Sequence, residues 1–95
     1  MPKVKEEMSG YYEFFCPGCK IEHPINTNPE FGPVWEFNKD LDKPTALPSL
    51  LWNVGGANPS IPICHSFIRD GRIQFLSDCT HDLKGQTVDI PEIKD

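Results

Sequence analysis

Cys64-His65-Ser66-Phe67-Ile68-Arg69-Asp70-Gly71-Arg72-Ile73-Gln74-Phe75-Leu76-Ser77-Asp78-Cys79 reads as a β-hairpin. Asp-Gly is a favoured pair for a two-residue type I′ turn, because both central residues there take positive φ, and alternating runs flank it on either side. Setting the turn sets the register: Arg69 faces Arg72, Phe67 faces Gln74, His65 faces Leu76 and Cys64 faces Ser77. Side chains alternate with period two, so Cys64, Ser66 and Ile68 share a face with Ile73, Phe75, Ser77 and, if the strand runs on, Cys79. Cys64 and Cys79 are then diagonal neighbours, and His65 turns to the other face with Leu76 and Asp78. A single β-bulge near the open end would exchange the two faces.

The rest of the chain has the same character. Further runs rich in aromatic and β-branched residues at 11–15, 34–37, 50–54, 61–68, 72–76 and 87–90 read as strands. Ten prolines lie between and within them, and each removes a backbone donor and disfavours helix in the residue before it. The connections carry turn chemistry at Asn38-Lys39-Asp40 and Gly55-Gly56-Ala57-Asn58-Pro59. The expected fold is therefore mostly β, a small antiparallel sheet domain with a zinc knuckle and little helix. Its 95 residues are expected to form one domain, 1–95, with charged, mobile ends at 1–8 and 92–95.

A chain this short has a thin core and calls for a staple. Its apolar fraction of 38% is enough to fold on, but no apolar run approaches the roughly 20 residues that span a bilayer. The first residues lack the apolar centre of a signal peptide, so a cytoplasmic protein without a membrane partner is expected. Cytosolic thiols stay reduced, which makes four cysteines a metal signal more than a disulfide framework. Cys16-Pro17-Gly18-Cys19 is the strongest motif. Two thiolates two residues apart hold one tetrahedral ion when the backbone forms a tight knuckle, and Gly18 gives that turn its freedom. A redox pair would instead open a helix, whereas this one follows the strand-like run Tyr11-Tyr12-Glu13-Phe14-Phe15.

The hairpin register brings Cys64 and Cys79 to the knuckle, so Cys16, Cys19, Cys64 and Cys79 are the first choice of ligands for one structural Zn2+. Cys16, Cys19, Cys79 and His81 come second, with His65 and His23 as further alternates. A closed shell of four protein ligands stabilises a fold and does no chemistry. His65, Asp78 and His81 cluster at the hairpin's open end, either as supports for the metal shell or as a second metal or acid-base site. Ser66 and Ser77 lack a recognisable base and oxyanion pocket. The formal charge of −5 disfavours nucleic acid as a direct partner, with Arg69 and Arg72 placed at a solvated hairpin tip.

The stretch from Cys64 to His81, followed by Leu83, Gly85, Gln86, Thr87 and Val88, resembles small phage and prophage proteins of a domain-of-unknown-function family. The resemblance also rests on Cys16-Pro17-Gly18-Cys19 with His23, on Trp35-Glu36-Phe37-Asn38, and on Lys43-Pro44-Thr45 leading to Pro48-Ser49. One departure is Ala46-Leu47, where a Phe-Ser type pair is expected. The resemblance implies a phage-encoded protein with no activity to carry over. Some members are labelled ammonia monooxygenase, which conflicts with the lack of a copper constellation and a membrane span here.

With the acidic charge and small size, this setting implies a zinc-binding interaction module that grips a host or phage protein, as an inhibitor of a host or defence component. A small metal-dependent hydrolase or nuclease using His65, Asp78 and His81 is the alternative, and a minor virion or assembly protein a third.

Overall fold

The structure, a computed structural model, describes residues 2–53 and 56–93. Val54 and Gly55, which end one expected strand and open the loop after it, lie outside the described residues, as do 94 and 95. Among the described residues, eight strands form two antiparallel sheets, with one 3-10 turn at Pro29–Phe31. The first sheet has the order β1 (Val4–Met8), β2 (Tyr11–Cys16), β3 (Ile21–Asn26). The second has the order β4 (Glu36–Phe37), β5 (Ala46–Trp52), β6 (Cys64–Arg69), β7 (Arg72–Phe75), β8 (Thr87–Asp89). The chain is mostly β, as the sequence predicts.

One face of each sheet feeds a shared core. Tyr12, Phe14 and Cys16 alternate inward along β2, and Cys64, Ser66 and Ile68 do so along β6, facing Ile73 and Phe75 of β7. Asp70 and Gly71 carry φ of 50° and 79°, so the turn is the expected type I′, and Arg69 pairs with Arg72 and Phe67 with Gln74. The register of the hairpin is thus the one its turn dictates.

Two strands were not expected. The sequence predicts a mobile end at 1–8, yet Val4–Met8 is an edge strand paired with β2. Its single apolar anchor, Val4, is fully buried, and the Lys3 N–H donates to the Leu41 carbonyl at 2.7 Å. The charged side chains outside are ordinary for an edge, since Lys5 sits 3.0 Å from Glu7, and they hide the strand from a hydropathy pattern. Likewise Ile93 at the other end donates its N–H to the Pro2 carbonyl at 2.7 Å. β3 contains Pro24, which a strand tolerates at a sheet edge, and β3 is an edge.

β5 begins earlier than expected and holds a proline in the middle of a sheet. Pro48 has no N–H to give, and the pairing accommodates it: Ala46 pairs with Ile68 and Leu50 with Ser66, so Leu47, Pro48 and Ser49 together stand against Phe67 alone. Such a bulge re-aims the side chains it carries.

Candidate active site and metal centre

The bulge delivers Ser49. Leu51 is paired directly with His65, and Ser49, two residues earlier, reaches the same outer face. There the Ser49 Oγ lies 2.9 Å from His65 Nε2, and His65 Nδ1 lies 3.0 Å from Asp78 Oδ2. With the imidazole proton on Nδ1, given to the carboxylate, Nε2 is free to accept the hydroxyl proton of Ser49. Trp35 holds the strand that carries Ser49 from the side, its indole N–H donating to the Ser49 carbonyl at 3.2 Å. The His65 ring is 26% exposed and the Asp78 carboxylate 58%, so the pair opens to solvent at the carboxylate end while Ser49 is half-buried.

His65 and Asp78 were singled out from sequence together with His81; the structure pairs the first two with Ser49 and sends His81 elsewhere. Ser49 was missed. A proline inside a strand pattern signals a bulge, and the residue after it is the one a bulge re-aims, which is the signal that points to this serine. Ser66 is fully buried on the inner face.

The inner face holds the second cluster. Ligand atoms of Cys16, Cys19, Cys64 and His81 all lie within 4.8 Å of one another, which suits one tetrahedral ion with metal–ligand distances near 2–2.3 Å. Cys16 closes β2 and Cys19 sits in the β2–β3 turn, where its N–H donates to Cys16 Sγ at 3.4 Å. Cys64 opens β6 of the other sheet, so an ion here would join the two sheets. The thiols of Cys19 and Cys64 hydrogen-bond to Cys16, which holds the Cys16 thiol far below its ordinary pKa, pushes Cys19 up to about 12 and pushes Cys64 up as well. A cation bound here would displace the protons that these sulfurs carry.

His81 fits this role. It is buried, burial pushes its pKa down, and its Nε2 has no hydrogen-bond partner among the described residues. Phe75 packs on the ring edge-on at 4.5 Å, and Leu83 N lies 3.2 Å from Nδ1. Ligation through Nε2 would put the imidazole proton on Nδ1, so that long Leu83 contact must open when an ion binds.

Gly18 lies against the same ring: a Cβ there would collide with Cε1 and Nε2 of His81. Gly18→Ala is expected to displace His81 and to cost about 1–3 kcal/mol in a metal-loaded thermal melt, the range for overpacking; an unchanged melting temperature would contradict this packing.

The four-cysteine set differs from this cluster at one position. β7 ends at Phe75 and the chain turns, with Cys79 N–H donating to the Leu76 carbonyl at 3.2 Å, so the strand never carries Cys79 to a place diagonal to Cys64. Cys79 instead bonds to the His65 backbone, and His81, two residues on, reaches the sulfurs. His23 is buried beside Cys16, its ring tilted 39° to that of Trp52 with centroids 4.5 Å apart, outside the four-atom cluster. Among the described residues no helix is long and apolar enough to cross a membrane.

Comparison with curated proteins and with solved structures gives no match. Residues 2–76 do match a family, a stretch that contains Ser49, His65 and the three clustered cysteines and stops just before Asp78 and His81. That family is described as bacterial ubiquitination-like system serine protease (BubE), and the chain belongs to it.

Proposed function

We propose that the chain is a zinc-stapled serine peptidase working in a bacterial ubiquitination-like system, with Ser49 as nucleophile, His65 as general base and acid, and Asp78 as the group that orients and balances the imidazole. The observation that carries it is the unbroken contact from Ser49 Oγ through both His65 nitrogens to the Asp78 carboxylate, at 2.9 and 3.0 Å. The description of the family supports the same chemistry.

In that chemistry the Ser49 oxygen attacks the scissile carbonyl while His65 Nε2 takes its proton. The tetrahedral adduct then collapses: the C–N bond breaks, His65 returns the proton to the leaving amine, and the acyl group stays on Ser49. A water, deprotonated by the same Nε2, releases the acid and restores the hydroxyl. Asp78 holds the proton on Nδ1 throughout and stabilises the imidazolium formed in each half-reaction. Leu51, paired with His65 and 48% exposed, and Leu47, 43% exposed on the bulge, give the substrate an apolar bed beside the nucleophile.

The metal has a separate task. Three thiolates and an imidazole are a zinc donor set, and Cys16, Cys19, Cys64 and His81 would together hold one ion in a closed four-ligand shell with no position for a reactive water. A metal-dependent hydrolase built on His65, Asp78 and His81 is disfavoured because those residues are divided between the two sites. The interaction module was favoured from sequence because no catalytic constellation was visible there, and Ser49 supplies one. Neither a phage origin nor an inhibitory role is required by this geometry.

A serine-directed fluorophosphonate is expected to add once per chain, at Ser49 by peptide mapping, and His65→Ala is expected to abolish the addition. Metal-loaded, folded protein that stays unlabelled would overturn the assignment.

A further inference from the structure

Cys79 is the one cysteine outside the four-atom cluster, and its bonds go to the base of the relay. Its Sγ accepts the His65 N–H at 3.2 Å and donates to the His65 carbonyl at 3.2 Å, and the side chain is buried. A neighbour repeats the pattern. The Thr80 N–H donates to the Ile63 carbonyl at 3.0 Å, and Thr80 Oγ1 accepts the Ile63 N–H at 2.8 Å. Asp78 meets the His65 ring, and His81 joins Cys64 in the metal cluster. Four consecutive residues, 78–81, therefore engage three consecutive residues, 63–65, beyond the point where β7 stops. Within this strap, side chains and backbone replace the ladder that β7 no longer provides.

We propose that Cys79 is a positioning residue for the general base, and that the strap it belongs to fixes His65 and Asp78 to the metal centre. The proposal rests on the Ser49–His65–Asp78 assignment. Cys79 Sγ is not among the four ligand atoms that lie together, and it engages the His65 backbone instead. Holding both polar groups of His65 fixes the backbone from which the imidazole projects, and a displacement of about 1 Å at such a group costs on the order of a hundredfold in rate.

The test compares the parent with Cys79→Ala and Cys79→Ser, all metal-loaded. Metal per chain, the rate of fluorophosphonate addition, KM against kcat on a cleavable peptide, and hydrogen exchange of the His65 amide are measured. Cys79→Ala is expected to keep one metal per chain and an unchanged KM, to lower kcat and labelling by about tenfold to a hundredfold, and to speed His65 amide exchange. Cys79→Ser, whose hydroxyl both donates and accepts, is expected to recover much of the rate; if Cys79→Ala does not fold, this variant carries the comparison.

Loss of metal from either folded variant would assign Cys79 as a ligand and overturn the proposal, as would an unchanged labelling rate with unchanged His65 exchange. A parent that is not labelled at Ser49 would instead sink the peptidase assignment. In that case faster His65 exchange in Cys79→Ala still supports the backbone clamp, and unaltered exchange refutes it.

Discussion

Ser49→Ala is expected to reduce peptide hydrolysis by about four to six orders of magnitude while leaving the fold intact, because the nucleophile of a serine relay acts as a unit with its base. At about 1.4 kcal/mol per tenfold, that is about 5–8 kcal/mol of transition-state stabilisation. The size follows from what the relay does: without Oγ no acyl-enzyme forms, and the remaining hydrolysis must use free water. The fold should not notice. Ser49 is half-buried, its hydroxyl's partner is His65, and the Trp35 contact is to its backbone carbonyl, which alanine retains. The thermal melt of the variant is expected within about 0.5 kcal/mol of the parent, as for substitutions that touch no core. Hydrolysis in Ser49→Ala within tenfold of the parent would show that another group attacks the carbonyl.

Only part of this site is legible in the sequence, and the reasons are local. The Asp70-Gly71 turn carries its own stereochemistry, so the pairing of β6 with β7 follows from two residues and holds in the structure. The Cys16-Cys19 knuckle is equally local, a bite closed within four residues. Beyond Phe75 the same hairpin stops being informative, because alternation describes residues only while the strand lasts. Extending it to Cys79 put a sulfur where the structure puts the ring of His81. β1 was hidden because one buried valine among charges leaves no periodic signal, although main-chain pairing supplies the strand. Ser49 was hidden for a different reason: its partners lie 16 and 29 positions away, and its orientation comes from a bulge that Pro48 imposes against a neighbouring strand. Local chemistry predicts turns and knuckles; a relay assembled from β5, β6 and the strap becomes visible only once the sheet is paired.

Removing the metal is expected to abolish both cooperative unfolding and the Ser49 chemistry. The cluster draws on the β2–β3 turn in one sheet, the start of β6 in the other, and His81 on the strap, so an ion there would tie the first sheet to the second and to its strap. Without an ion, His81 Nε2 is buried with no hydrogen-bond partner among the described residues, which opposes folding. Structural zinc contributes about 10–16 kcal/mol of apparent binding free energy in small domains, against a total stability of about 5–15 kcal/mol, so the metal-free chain should not hold its native packing. Treatment with a strong chelator is expected to release one equivalent of zinc, to flatten the thermal transition, and to stop fluorophosphonate addition at Ser49. Restoring Zn2+ should return all three. The order of loss is informative as well, because His81 lies only three residues from Asp78. As chelator is added, Ser49 labelling should fall in step with metal release, at or before the loss of near-UV dichroism. A chelated protein that still melts cooperatively and labels at the parent rate would separate the metal from the fold and from the relay, and would remove the staple from this account.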